Sequence, residues 1–279
     1  MNTRDDVLDI AVDDQHIAGT LVTPGTLIPG VLFVHGWGGS QEQYVTRARA
    51  VAALGCICLT FDLRGHAKTQ SLHDTVSRED NLHDLIAAYD MLLRQRGVDA
   101  SSIAVVGSSY GGYLAAILTT LRPVRWLALR VPALYKDSDW GIPKGQLRKL
   151  QQLDSYRMLP VQPEESRALA ACTAFTGDAL VVESEHDSIV PPQVLANYRH
   201  AFANAASLTY RVLEGADHAL STEQMQQGYT AVLVGWVGEM VKRARSDSQT
   251  TPVIAKATPS AADQVDARAA LAVESSPAG

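Results

Sequence analysis

The chain has 279 residues, 46% of them hydrophobic and 19% charged, which gives room for one large α/β domain or at most two small ones. A net charge of −6, with no long Lys/Arg stripe to offset it, argues against generic binding to nucleic acid. No apolar run reaches the ~18 residues that span a bilayer, and the N-terminus lacks a basic-then-apolar leader, so a cytoplasmic protein with no membrane association is expected.

Two alternating stretches, residues 7–12 and 16–22, flank Asp13-Asp14-Gln15 and predict an opening antiparallel hairpin. After the turn signals Pro24-Gly25 and Pro29-Gly30 the pattern changes. Short apolar runs at 31–34, 56–61, 103–106, 126–131, 179–182 and 208–213 predict strands. Helices are predicted at 41–54, 78–96, 110–121, 193–203 and 222–241. Such alternation, with continuously apolar strands, is the pattern of a mainly parallel sheet covered by helices on both faces. Cys56 and Cys58 alternate in one strand and read as core thiols; with Cys172 they form neither a disulfide framework nor a metal-binding spacing.

The rhythm breaks at 132–177, a stretch with no obvious strand, which predicts a cap or lid inserted into a domain spanning 1–242. Residues 243–279 turn to Ser, Thr, Pro and Ala with little apolar periodicity and predict a disordered tail.

The chemistry is carried first by Gly107-Ser108-Ser109-Tyr110-Gly111, a G-x-S-x-G placed between a predicted strand and a predicted helix. A serine on so sharp a turn takes a strained backbone conformation, and side chains two residues to either side would collide. Gly107 and Gly111 remove them and leave Ser109 at the tip of the sheet. A serine hydroxyl needs a base, and the base needs an orienting carboxylate. Of the eight histidines, His218 lies in a loop after the last strand and is the candidate base; His35 is better placed to fix its own loop, and His66 to reach the pocket mouth. After the preceding strand, Glu183, Glu185, His186 and Asp187 compete for the orienting role; Asp187, on a loop ordered by Ile189-Val190-Pro191, is preferred, with Glu185 second. The two N–H donors for an oxyanion are expected from the backbone of Tyr110 and of Trp37, in His35-Gly36-Trp37-Gly38-Gly39.

On these residues, in the chain order Ser109, Asp187, His218, the protein resembles the α/β-hydrolase superfamily, in particular its serine esterases, thioesterases and small serine peptidases. The similarity covers about residues 7–242 and includes Asp62-Leu63-Arg64-Gly65-His66-Ala67, which is similar to the D-x-R-G-x-G loop of that superfamily, with Ala67 in place of its second glycine. The resemblance implies a mostly parallel eight-stranded sheet, a small-molecule acyl substrate, and no metal or organic cofactor. An acyl ester is the leading substrate. An amide, peptide or thioester, transfer to an acceptor other than water, perhydrolysis, and a non-catalytic binding role are the alternatives. Tyr135 and Trp140 in the insertion are expected to line the substrate pocket, beside Lys136, Lys144, Arg148, Lys149 and Arg157.

Overall fold

The opening alternation forms two long strands, β1(Thr3–Val12) and β2(Gln15–Pro24), paired antiparallel across a turn in which Asp13 has φ +51°. A short polar side chain tolerates that left-handed geometry better than most. The structure is a computed structural model, which describes residues 3–24 and 29–250. From β3(Pro29–Val34) onward, strands and helices alternate as expected: α1(Glu42–Ala52), β4(Ile57–Phe61), α2(Arg78–Leu93), β5(Asp99–Ser108), α3(Tyr110–Leu118) and β6(Trp126–Arg130). After the insertion come β7(Asp178–His186), α7(Pro192–Ala201), β8(Ser207–Asp217) and α8(Glu223–Thr250).

The eight strands lie in the order β1-β2-β4-β3-β5-β6-β7-β8. Only β1–β2 and β2–β4 are antiparallel; β3 pairs parallel with both β4 and β5, and β6, β7 and β8 follow in parallel. The parallel strands β3, β4 and β6 are buried at every position, because helices cover both faces. The winding direction reverses at β3, and the crevice beyond the carboxyl ends of β3 and β5 is where such sheets bind ligands. Val34 lies opposite Gly107 in that register, which sets the loop after β3 beside the turn after β5.

Residues 132–177 form three short α-helices, α4(Leu147–Leu150), α5(Leu153–Tyr156) and α6(Arg167–Ala174), with 3-10 turns at Lys144–Gln146 and Pro163–Glu165, and no strand. Leu147, Leu153, Leu169, Cys172 and Phe175 are buried with the main core, and α6 packs on α3 and α7. The insertion is therefore an extension of the core on one side of the sheet. All three cysteines are buried, and none of them is in a disulfide.

The chain divides into the units Met1–Lys242 and Arg243–Gly279. The tail expected from residue 243 begins within α8, which continues to Thr250. No Gly or Pro occurs between Arg243 and Pro252, and each added residue of a formed helix gains a backbone hydrogen bond. The rest of the expected tail, 251–279, lies outside the described residues. No helix of the described residues is long and apolar enough to cross a membrane.

Candidate active site

Ser109 joins β5 to α3 with φ +52° and ψ −117°, a conformation that L-residues avoid unless the surroundings enforce it. Its amide donates to the Arg130 carbonyl (2.9 Å), and its carbonyl accepts from the Tyr113 and Ala133 amides (3.1 and 2.9 Å). The flanking glycines are sterically required. A Cβ at Gly107 would stand 2.5 Å from the Gly111 carbonyl oxygen, and one at Gly111 2.4 Å from the carbonyl oxygens of Val34 and His35. Ser109 is thus held, partly exposed, at the carboxyl edge of the sheet.

The loops after β7 and β8 meet it there. His218 Nε2 lies 3.1 Å from Ser109 Oγ, and His218 Nδ1 lies 2.7 Å from Asp187 Oδ2. The Asp187 side chain is 4% exposed and that of His218 20%, so the pair is shielded while the imidazole still reaches the cavity. Burial alone would raise the Asp187 carboxyl. The bonds it accepts from His218 and from the Val190 and Ile189 amides outweigh burial and hold it below the usual carboxylate range. Glu185 is turned away from the histidine; its Oε2 accepts the Gly215 amide at 2.7 Å. Glu183 and His186 make no bond to His218.

The loop after β3 approaches from the other side, where a Cβ on Gly36 would stand 3.3 Å from Ser109 Cβ. The amides of Trp37 and Tyr110 donate to no protein acceptor among the described residues, so two N–H groups at this loop and at the start of α3 are free to bind an oxygen. Two buried imidazoles fix the loop. His35 Nε2 accepts the Leu63 amide and His66 Nε2 the Gly38 amide, both at 3.0 Å, and their Nδ1 atoms face the backbone carbonyls of Gly36 and of Leu63 and Arg64. Such bonds require neutral rings protonated on Nδ1, and burial lowers each pKa to about 4. His66 is therefore a buried brace rather than a residue of the pocket mouth. The Trp37 ring is packed against His66, His73 and Tyr110, with Lys144 Nζ 4.2 Å from its centroid. Asp62 accepts the Gln41 amide at 2.8 Å, and Arg64 pairs with the buried Asp84, so both serve the neighbouring loops. Ala67 has φ +47°, in the left-handed region that favours the glycine it replaces.

A cavity of about 280 Å³ opens at Ser109 and His218. It is lined by Trp37 and Gly38 of the loop, by Tyr44 and Arg47 of α1, by Arg130 at the end of β6, and by Tyr229 of α8. The expectation that Tyr135 and Trp140 line the pocket is corrected: neither borders this cavity. Both belong to a packed cluster under the insertion. Arg78 is fully buried there, donates to the Tyr113 hydroxyl and to the carbonyls of Lys136 and Ser138, and lies 4.7 Å from the Trp140 ring centroid. Tyr135 packs edge-on to Tyr110 and Tyr113. Burial alone would raise its phenol, but the Lys144 and Arg157 cations beside it bring it below its ordinary value. An aromatic residue in an insertion is drawn to core space as readily as to a pocket, and here buried Arg78 supplies the anchor.

Arg47, Arg130 and Tyr229 are the residues that sequence reasoning missed. Two signals were present. Arg130 ends an apolar strand, Trp126–Arg130, and Arg47 interrupts the buried face of α1 formed by Tyr44, Ala48, Val51 and Ala52. Among the described residues no group of three or more His, Cys, Asp or Glu side chains is arranged to hold a metal ion.

The profile of the prolyl oligopeptidase family matches residues 42–244. An uncharacterized protein of Mycobacterium tuberculosis is 29% identical over 198 residues, 70% of this chain and 65% of that one. The chain thus spans about two thirds of the length of this curated relative, or slightly less. Among solved structures, dienelactone hydrolase from Anabaena variabilis superposes with a TM-score of 0.60 at 16% identity, covering 84% of this chain and 96% of that one. The acylaminoacyl peptidase of Pyrococcus horikoshii does so with a TM-score of 0.64 at 14% identity, covering 87% of this chain and 42% of that one. The shared eight-stranded sheet and a profile match that takes in both the Ser109 turn and the His218 loop lead to one conclusion: the chain has the α/β-hydrolase fold and belongs to the prolyl oligopeptidase family.

Proposed function

We propose that the protein is a serine hydrolase that cleaves an acyl ester through an acyl-enzyme. The observation that carries this reading is the hydrogen-bonded series Ser109 Oγ, His218 Nε2, His218 Nδ1, Asp187 Oδ2 at a turn of positive φ. Ser109 Oγ attacks the substrate carbonyl carbon while His218 Nε2 takes its proton. Asp187 keeps the other ring nitrogen protonated and stabilises the imidazolium that forms. The oxygen that becomes negative is received by the Trp37 and Tyr110 amides, a contribution of roughly 3–4 kcal/mol per donor in such sites. His218 then returns the proton to the leaving group, and a water activated by the same imidazole releases the acyl group from Ser109.

The family membership and the likeness to an acylaminoacyl peptidase favour a second reading, amide cleavage by the same residues. Turnover of matched 4-nitrophenyl esters, thioesters and 4-nitroanilides with acyl chains of two to eight carbons separates the two. The ester reading expects kcat/KM to be highest for short esters and to exceed that of the matched anilide by more than the intrinsic reactivity ratio measured in hydroxide. An anilide preference after that correction would favour the peptidase reading, and no turnover of any member would remove both.

A further inference from the structure

We propose that the cavity at Ser109 takes a substrate bearing a carboxylate, gripped by the Arg47 guanidinium with Arg130 adding a second positive charge. This rests on Ser109 as the nucleophile, and it names the substrate class of that same site.

Arg47 and Arg130 both line the cavity, yet they are only 7% and 6% exposed. The arginines in ion pairs among the described residues are others, such as Arg49 with Asp5, Arg64 with Asp84, Arg122 with Asp90 and Arg148 with Asp154. Neither cavity arginine has a carboxylate partner there. Each nitrogen of Arg130 makes one bond, donating to Ser108 Oγ, Ser184 Oγ and the His218 carbonyl. Arg47 falls short of that. Its Nη1 donates to the Gln43 carbonyl at 2.9 Å, its Nε has no acceptor, and its guanidinium carbon lies 5.1 Å from the Tyr229 ring centroid.

Tyr229 cannot supply the missing charge. Burial pushes its phenol up to about 12, so it stays neutral at physiological pH. Asp187 is committed to His218. Two cations beside one small cavity, with no counter-charge, are costly in the empty protein. A carboxylate entering the cavity would relieve that cost, and the planar guanidinium fork matches its two oxygens. A neutral acyl chain of the same shape would leave both charges unmet, so the preference should be large.

The test has two arms. In the first, glutarate and its neutral isostere glutaramide are titrated calorimetrically, at matched ionic strength, into the whole chain carrying Ser109→Ala. Glutarate is expected to bind at least tenfold tighter than glutaramide, and adding Arg47→Met should abolish that margin. Equal binding of the two, or a margin untouched by Arg47→Met, overturns the proposal whatever the catalytic role of Ser109. Should Arg47→Met fail to fold, Arg47→Lys keeps a charge but loses the fork, and the margin should shrink without vanishing.

The second arm is kinetic and locates the carboxylate. 4-Nitrophenyl hydrogen glutarate against 4-nitrophenyl pentanoate places the charge on the acyl side; 3-acetoxybenzoate against 3-acetoxybenzamide places it on the leaving group. One pair should show a kcat/KM ratio of at least 30 in favour of the anion, falling to near one in Arg47→Met. Ratios near one for both pairs in the wild type overturn the proposal. Anion binding in the first arm without turnover of any ester would instead contradict the ester reading and leave the anion site standing.

Discussion

Two regions flank Trp37, and both are built from the same residue types. Under the insertion lie Arg78, Lys144 and Arg157 with Tyr113, Tyr135 and Trp140; between α1 and α8 lie Arg47 and Arg130 with Tyr44 and Tyr229. In the first region Tyr113 and Tyr135 are buried in the core with Trp140 packed against it, and the second encloses a cavity. The arginines at their centres, Arg78 and Arg47, differ in how many acceptors they find. The Nε of Arg78 and of Arg47 both lack an acceptor, but the Arg78 terminal nitrogens donate to two carbonyls and a phenol, whereas Arg47 has a single backbone acceptor. Arginine–aromatic composition does not by itself tell packing from binding.

The largest test of that contrast is a pair of equal substitutions. Arg78→Met removes a donor from the Tyr113 hydroxyl and leaves only Gln151 on the Lys136 and Ser138 carbonyls. It should cost about 2–4 kcal/mol in urea unfolding. Arg47→Met removes an unmatched cation and should leave stability unchanged or raise it by about 1 kcal/mol. Equal losses from both would erase the distinction between the regions.

The imidazoles that brace the loop after β3 give the next effect. His35 and His66 titrate near 4 in the fold against 6.5 in the free side chain, so between those values the unfolded chain holds more protons. Their contribution is fully present above pH 6.5 and is lost as pH falls toward 4, by at most about 3 kcal/mol per ring. Urea midpoints measured at pH 7, 5.5 and 4.5 should therefore fall less steeply in His66→Gln than in the wild type. Parallel slopes would mean that the ring already takes a proton in the folded state.

Lys144 joins the two regions through the Trp37 ring and acts as a positioning residue. Lys144→Met should lower kcat about tenfold while KM stays within twofold, because a tilted Trp37 amide weakens only the negatively charged transition state. A change confined to KM would place Lys144 against the substrate instead. The smallest effect is expected at Ala67. Ala67→Gly relieves a left-handed alanine and should stabilise the protein by about 0.5–1 kcal/mol in thermal or urea unfolding, with kcat/KM unchanged.

Features that depend on backbone geometry were legible in the sequence. Gly107 and Gly111 are demanded by contacts under 3 Å, and the apolar runs that predict β3, β4 and β6 are strands buried at every position. The loops that carry Asp187 and His218 follow from chain order once those strands are set. Tyr135 and Trp140 were misplaced because their positions depend on Arg78, some 60 residues earlier, which sequence pattern marks only as a charge at a helix start. The cavity was hidden for the same reason. Arg47 and Tyr229 approach from α1 and α8, far apart in the chain, and only folding sets them together.

The role of Ser109 is tested most directly by covalent capture. The whole chain is treated with a fluorophosphonate, and the labelled peptide is identified by mass spectrometry beside Ser109→Ala and Asp187→Asn. One equivalent should add to Ser109 in the wild type, none to Ser109→Ala, and labelling should slow at least a hundredfold in Asp187→Asn. Labelling of Ser108 or another residue, or stoichiometric labelling of Ser109→Ala, would contradict Ser109 as the nucleophile.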